Sequence, residues 1–408
     1  MPAGVSLLKE RNFLLLFLAT LISTFGSSMA PIALAFGVLD LTGSTSASAI
    51  VIAAPVVAQL VVLMVSGTLA DRTSRRLLIV FACVWASLFQ GLTAAAFIAE
   101  FATVPLLTGL ALASGVVIAI TFPATTGLIP LIVARDQLQD ANSLLGIARN
   151  TSLVLGTALA GVLVAVVGPG IALALDAATF AVAGLMYFAL RPARQIKPPP
   201  ASFVEDIRKG WQAFVSHRWL WIMVVQFSFV AASLQSVNGL LGPAVTRTYM
   251  NGSVDWGLIS AALGAGTLLG GFVAMKIRVE RTMLVSAFMI LFFAILPLML
   301  AGPLGLGWLI LGSLISGVAR QVFIVLWQTT VQTHVEPEML SRVSAYDFLG
   351  SFALAPLGIL FFGYLYEVVG YRVTLLSCAA LILVTTTVLF FVRDVRELRL
   401  NESATPGS

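Results

Sequence analysis

Asp176, Arg320 and Asp347 are the residues in this chain whose types and settings could do chemistry, because each stands inside a long apolar run. Asp176 lies in Leu175-Asp176-Ala177-Ala178-Thr179-Phe180, among small and apolar neighbours. Ionisable groups in hydrocarbon are expensive, rare and usually functional, often as proton or ion relays. A proton carried by Asp176 is one reading; a carboxylate favoured by the N-terminal end of a helix dipole is the other. Arg320 and Asp347 sit in successive runs, at depths that differ by roughly 10 Å for a helical rise of 1.5 Å per residue. A long Arg side chain nearly bridges that gap, so a buried ion pair and a coupling role are equally open. Asp40, where the first run ends, reads as a solvated helix end.

Other chemistries find no support. The sequence contains no nucleotide-binding P-loop, no metal-ligand spacing and no Ser-His-Asp arrangement. His217 and His334 fall at the ends of apolar runs, where solvation suits them better than catalysis. Cys83 and Cys378 lie inside apolar runs far apart in the chain and read as packing groups rather than a disulfide or redox pair. No enzyme, cofactor or metal is expected. The net charge of +5 does not imply nucleic acid either, since its distribution along the chain has another explanation.

The elements that must position these residues follow from composition. Of 408 residues, 59% are hydrophobic and 10% charged, against about 25% charged in a soluble domain. Runs of about 20 apolar residues, each long enough to cross a hydrocarbon core of roughly 30 Å, recur throughout. The fold class is therefore an all-α polytopic membrane protein. Helices are expected near 12–39, 45–70, 76–98, 104–133, 142–167 and 170–190, then 219–246, 255–277, 282–301, 304–333, 340–369 and 371–392. The first run begins after Arg11 in register with the others, so it reads as a spanning helix with no cleavable signal. Of the 23 Lys and Arg, 20 fall at the face that carries the termini, two (Arg247 and Arg372) at the opposite face, and Arg320 within a helix. That asymmetry places both termini in the cytoplasm.

The chain divides into an N-terminal six-helix bundle (1–190), a connector (191–218), a C-terminal six-helix bundle (219–392) and a tail (393–408). Pro198-Pro199-Pro200 break any helix in the connector. Phe203, Ile207, Trp211 and Phe214 then recur at helical spacing among charges, as in a helix lying along the membrane interface. The halves look related. A shift of 202 residues places Gly156 on Gly358, Gly161 on Gly363 and Gly168 on Gly370. Parallel six-helix repeats with a site between them are a transporter arrangement.

The segment Gly67-Thr68-Leu69-Ala70-Asp71-Arg72-Thr73-Ser74-Arg75-Arg76 is a charged hinge between two apolar runs. On the residues alone it could be a positive-inside anchor. Gly67, Leu69, Asp71, Arg72, Arg75 and Arg76 also resemble, in register, the loop between helices 2 and 3 of the major facilitator superfamily; Ser74 stands where that motif has a second glycine. Gly271-Phe272-Val273-Ala274-Met275-Lys276-Ile277-Arg278 is a degraded echo in the second half. Thr121-Phe122-Pro123-Ala124-Thr125-Thr126-Gly127, the following Arg135 to Ser143, and Trp327 to Gly363 resemble the bacterial branch of macrolide-efflux and enterobactin-export proteins.

This resemblance implies two pseudo-symmetric six-helix bundles and export by alternating access. It also implies a charge network at the hinge, with Asp71 near Leu340 to Arg342 and Arg72, Arg75 or Arg76 near Asp136 or Asp140. Gly156-Thr157-Ala158-Leu159-Ala160-Gly161 is similar to the antiporter motif of helix 5, with Thr157 in place of its proline; close packing by small residues explains it equally well. Helix 1 has Ser27 and Ser28 where some proton-driven relatives carry an acid, and helix 4 lacks the arginine of many drug/proton antiporters. Candidate cavity groups are Gln226, Gln235 and Asn238 on helix 7 and Arg320, Gln321 and Gln328 on helix 10, with Phe25, Phe36, Phe122 and Trp327 as apolar walls. The reading is a monomeric, proton-driven exporter of amphipathic small molecules in the cytoplasmic membrane. Export of one endogenous metabolite, such as a siderophore or antibiotic, and a non-transporting membrane sensor are its rivals.

Overall fold

The computed structural model of the chain describes residues 7–134, 137–192, 203–302, 304–336 and 339–398, with side chains described in these segments except at 63–72, 122–123, 126–127, 203–207, 209 and 341. Eleven helical stretches there are long and apolar enough to cross a membrane. The last, Arg342–Leu389, runs for 48 residues. At 1.5 Å per residue that is about 72 Å, more than twice a hydrocarbon core of about 30 Å. Gly370, at φ 82° and ψ 168°, breaks it in two. The fold is therefore twelve spans: α1 Arg11–Thr42, α2 Thr45–Arg72, α3 Arg75–Ile98, α4 Val104–Leu128, α5 Leu138–Val167, α6 Pro169–Ala189, α7 Arg218–Tyr249, α8 Ser253–Lys276, α9 Thr282–Ala301, α10 Leu306–His334, α11 340–369 and α12 371–389. A connector helix, Phe203–Ser216, stands between α6 and α7. Among the described residues there is no strand. Side chains such as Val61, Leu185 and Phe391 are 70%, 71% and 83% exposed, which suits hydrocarbon as the outer solvent rather than water.

Prolines shape three of the spans, since each removes a backbone donor and crowds the carbonyl four residues back. Ahead of Pro243, α7 widens into a π-turn over Val237–Leu241. Before Pro297, α9 tightens into a 3-10 turn over Phe292–Ala294. Ahead of Pro356, α11 is interrupted between Phe352 and Ala355. The expected helix to residue 133 is shorter: α4 stops at Leu128 and a 3-10 turn, Ile129–Leu131, carries Pro130.

Contacts divide the chain into two units: Met1–Pro200 with Thr246–Ala261, and Ala201–Val245 with Ala262–Ser408. In the first, α1 packs on α5 and α6, α3 on α4 and α6, and α2 on α4. The second packs α7 against the α11–α12 stretch and α9 against α10, with the connector helix on the start of α11. There Trp211 meets the Tyr346 ring at 5.5 Å between centroids.

The internal repeat is visible in backbone geometry. Gly168, between α5 and α6, has φ 84° and ψ 167°, nearly the same as Gly370, 202 residues later. Gly156 faces Ser28 and the Phe25 carbonyl of α1, and Gly358 faces Ala232 of α7. Both units also fasten their first span to the end of their last. Asn12 and the Arg191 backbone bond reciprocally at 3.0 and 3.1 Å, and Arg218 pairs with Asp394 at 3.3 Å. The conformation of Gly370 is essentially closed to residues with a side chain. Gly370→Ala is expected to lower stability by about 1–3 kcal/mol, read as an earlier thermal unfolding transition in detergent.

Candidate functional site

In the first unit, Asp176 of α6 is fully buried, with 0% exposure. The Gln90 side-chain amide of α3 donates to its Oδ2 at 2.6 Å, while Oδ1 receives no hydrogen bond. Ser27 of α1 and Thr179, one turn along α6, also face the carboxyl. The Thr179 hydroxyl donates to the Asp176 carbonyl oxygen at 2.7 Å, so towards the carboxyl it can offer only a lone pair. Any side chain at Gly26 would overlap Thr179 Oγ1 and crowd Asp176 Oδ1; its absence lets the α1 backbone close over the group. Among the described residues no cation pairs with Asp176. The structure therefore encloses this carboxyl between three helices, rather than leaving it as a wetted helix start.

In the second unit, Asp347 of α11 accepts hydrogen bonds from Trp327 Nε1 at 2.9 Å and Ser351 Oγ at 3.1 Å. No ion pair joins it to Arg320 among the described residues. The reason is depth. Trp327 lies two turns further along α10, which brings its indole level with Asp347 and leaves Arg320 behind. Trp327 is held in turn by the rings of Phe323 and Trp219. Asp347 thus fastens α11 to α10.

Arg320 lines a cavity inside this unit together with Asn238 and Ser316. Gln235 and Gln328 are not among the lining residues; Gln235 is half-buried and Gln328 exposed. Gln226 is buried and donates to Thr386 Oγ1 of α12 at 3.0 Å, an interhelical bond rather than a cavity group. Gln321 has its Cβ beside Gly270 of α8. Phe36 is buried and Phe25 half-buried; the Phe122 side chain lies outside the described ones.

The side chains of Gly67, Asp71 and Arg72 in the hinge also lie outside the described side chains, as does Asp136. Arg75 opens α3, and Asp140 sits in the first turn of α5. Arg76 donates to the Phe188 carbonyl at the end of α6 and stacks over the Phe188 ring, 5.1 Å from its centroid. Gly161 of α5 serves close packing within the first unit: its Cα lies against the Gly257 backbone, and its carbonyl accepts from Ser253 Oγ at 2.9 Å.

A family model described as "Transmembrane secretion effector", of the major facilitator type, matches residues 3–405. The chain belongs to the major facilitator superfamily. It is a multi-pass membrane transporter with efflux-pump relatives. The chain is 25% identical over 407 residues to the multidrug efflux pump Tap of Mycobacterium tuberculosis, covering 96% of each. Likewise it is 26% identical over 368 residues to the enterobactin exporter EntS of Salmonella typhi, covering 84% of this chain and 82% of that one. Among solved structures, the nucleoside transporter NupG superposes with a TM-score of 0.74 at 14% identity, over 92% of this chain and 97% of that one. The D-xylose–proton symporter does so with a TM-score of 0.73 at 13% identity, over 97% and 99%. These two likenesses are of fold alone.

Three features of this facilitator escaped sequence reasoning. Gln90 is a polar residue in the apolar run of α3 and could have been paired with Asp176 on that ground, although 86 positions separate them. Gly26 and the π-turn of α7 carry no local signal, because each is defined by what packs against it.

Proposed function

We propose that this facilitator is an exporter of amphipathic small molecules in the cytoplasmic membrane, with both termini in the cytoplasm, exchanging substrate for protons as a monomer. The observation that carries the proton part is Asp176. A carboxyl sealed from water, with one amide donor and one open oxygen, can hold a proton and release it when α1, α3 and α6 shift. The similarity to Tap and EntS supports the direction of transport. Gly67, Asp71, Arg72, Arg75 and Arg76 would act as the cytoplasmic gate between the bundles 1–190 and 219–392, joined by the connector 191–218.

The test is uptake of cationic and neutral fluorescent dyes into inverted membrane vesicles. Imposing a proton gradient should start accumulation, and a protonophore should stop it. Uptake indifferent to the gradient would remove the antiport reading. No uptake of any dye would favour a dedicated exporter of one metabolite, for which the likeness to EntS speaks.

A further inference from the structure

The connector helix Phe203–Ser216 carries two stripes where sequence spacing alone suggests one. Gly210 and Phe214, four residues apart, face α11. A Cβ on Gly210 would stand 2.9 Å from Arg342 Cβ and 3.1 Å from the Tyr346 ring. Phe214 is buried, 5.9 Å from that ring between centroids. Arg208, Trp211 and Val215 follow one another at three and four residues, the spacing of one helix face. All three are exposed, Trp211 at 52% and Val215 at 44%. Among the described residues Arg208 pairs with no carboxylate.

The depth of the helix follows from its neighbours. His217 alone separates it from α7, so its end is held at the membrane face where that span begins. α11 and α12 share the one-residue turn at Gly370, which lets their lengths be compared. α12 crosses in 371–389, about 28 Å at 1.5 Å per residue, close to a hydrocarbon core of roughly 30 Å. The same length counted back along α11 ends near Ser351. Tyr346 then stands about 8 Å beyond the hydrocarbon, level with the headgroups, which bring a bilayer to about 40–45 Å in all.

A side chain exposed at that depth meets headgroups or water, and the composition of this stripe separates the two. Indole rings concentrate at the headgroup level, and a valine beside one gains nothing from water. A cation on the same face, with no carboxylate of its own, complements the phosphate of an anionic lipid. We infer that the Arg208–Trp211–Val215 face lies in the headgroup layer and takes an anionic phospholipid, with Arg208 on its phosphate and Trp211 and Val215 on the upper acyl chain. Gly210 and Tyr346 then pass that attachment to the start of α11. The inference stands apart from the exporter reading, because it concerns the membrane rather than the substrate.

The experiment uses the full-length protein in phosphatidylcholine nanodiscs, labelled with bimane at Val215→Cys; the native Cys83 and Cys378 are buried. Trace phospholipids with a nitroxide near the top of one acyl chain serve as quenchers. Nitroxide phosphatidylglycerol is expected to quench at about fivefold lower mole fraction than nitroxide phosphatidylcholine, the effect of one cation near an anionic surface. Arg208→Gln should make the two lipids equal, and Arg208→Lys should keep the difference. Trp211→Glu should abolish quenching by both. Equal quenching by the two lipids with Arg208 in place would overturn the anionic-lipid assignment. Quenching by acrylamide but by neither lipid would put the face in water; protection from all three would mean that protein covers it. Either result overturns the inference. These readings need no variant beyond the labelled one, whose altered side chain is already exposed, and none of them depends on transport.

Discussion

Asp176→Asn is expected to reduce proton-driven uptake by inverted vesicles to the level of vesicles lacking the protein, with fold and dye binding retained. Asn is close in shape to a protonated carboxyl. Its side-chain oxygen can keep the 2.6 Å bond from Gln90, and its amide can donate to the lone pair that Thr179 leaves open. What it cannot do is give up a proton. Asp176→Ala should behave differently, since it leaves the half-buried Gln90 amide without its carboxylate partner at about 1–3 kcal/mol, and its thermal transition should fall accordingly. Asp347→Asn is the control: an Asn oxygen can still accept from Trp327, so gradient-driven uptake should persist. Full uptake by Asp176→Asn would remove this carboxyl from the coupling mechanism, and loss only in Asp347→Asn would move the role there.

Gly317→Leu should prevent the second unit from assembling, and Gly317→Ala should already destabilise it. Gly317 of α10 and Gly266 of α8 face one another. A Cβ on Gly266 would overlap the Leu314 carbonyl and lie 3.0 Å from the Gly317 Cα; one on Gly317 would overlap the Leu263 carbonyl and lie 2.9 Å from the Gly266 Cα. The obstructing atoms are backbone on both sides, so no rotamer change can relieve the clash. Overpacking by even one methyl commonly costs about 1–3 kcal/mol, and without a hydrophobic drive between helices in lipid, close packing is much of what holds them. Gly271, with nothing within 4 Å of its would-be Cβ, is the matched comparison: Gly271→Ala should be neutral or slightly stabilising, by up to about 1 kcal/mol of helix propensity. Thermal unfolding and monodispersity in detergent read all three. An undisturbed Gly317→Leu protein would mean that α8 and α10 are not held by this contact.

The spans were legible because hydrocarbon imposes length and composition on every helix that crosses it. The repeat was legible for a related reason: Gly168 and Gly370 occupy a backbone conformation that other residues do not tolerate, so both copies kept the glycine in the same frame. Asp176 stood out as a lone acid in an apolar run. Its partner did not, since nothing local ties Gln90 to a position 86 residues away. Arg320 and Asp347 looked like a pair because both were charged and a long Arg side chain nearly spans the roughly 10 Å between their depths. Depth along the helices decided otherwise and gave Asp347 the indole of Trp327, a donor that charge counting does not register. Gln226 was visible as a polar group but not as the partner of Thr386, which only the packing of α7 on α12 reveals.

One feature of the turns at Gly168 and Gly370 bears on motion. In each case a single residue links two long spans: Val167 ends α5 and Pro169 begins α6, and 369 and 371 flank Gly370 in the same way. One residue reaches at most about 3.6 Å, so neither link has slack. At that end the two helices of each pair cannot slide past one another or part. They are tethered like the arms of a pair of tweezers, and whatever separation they achieve must grow with distance from the tether, towards the opposite end of the span.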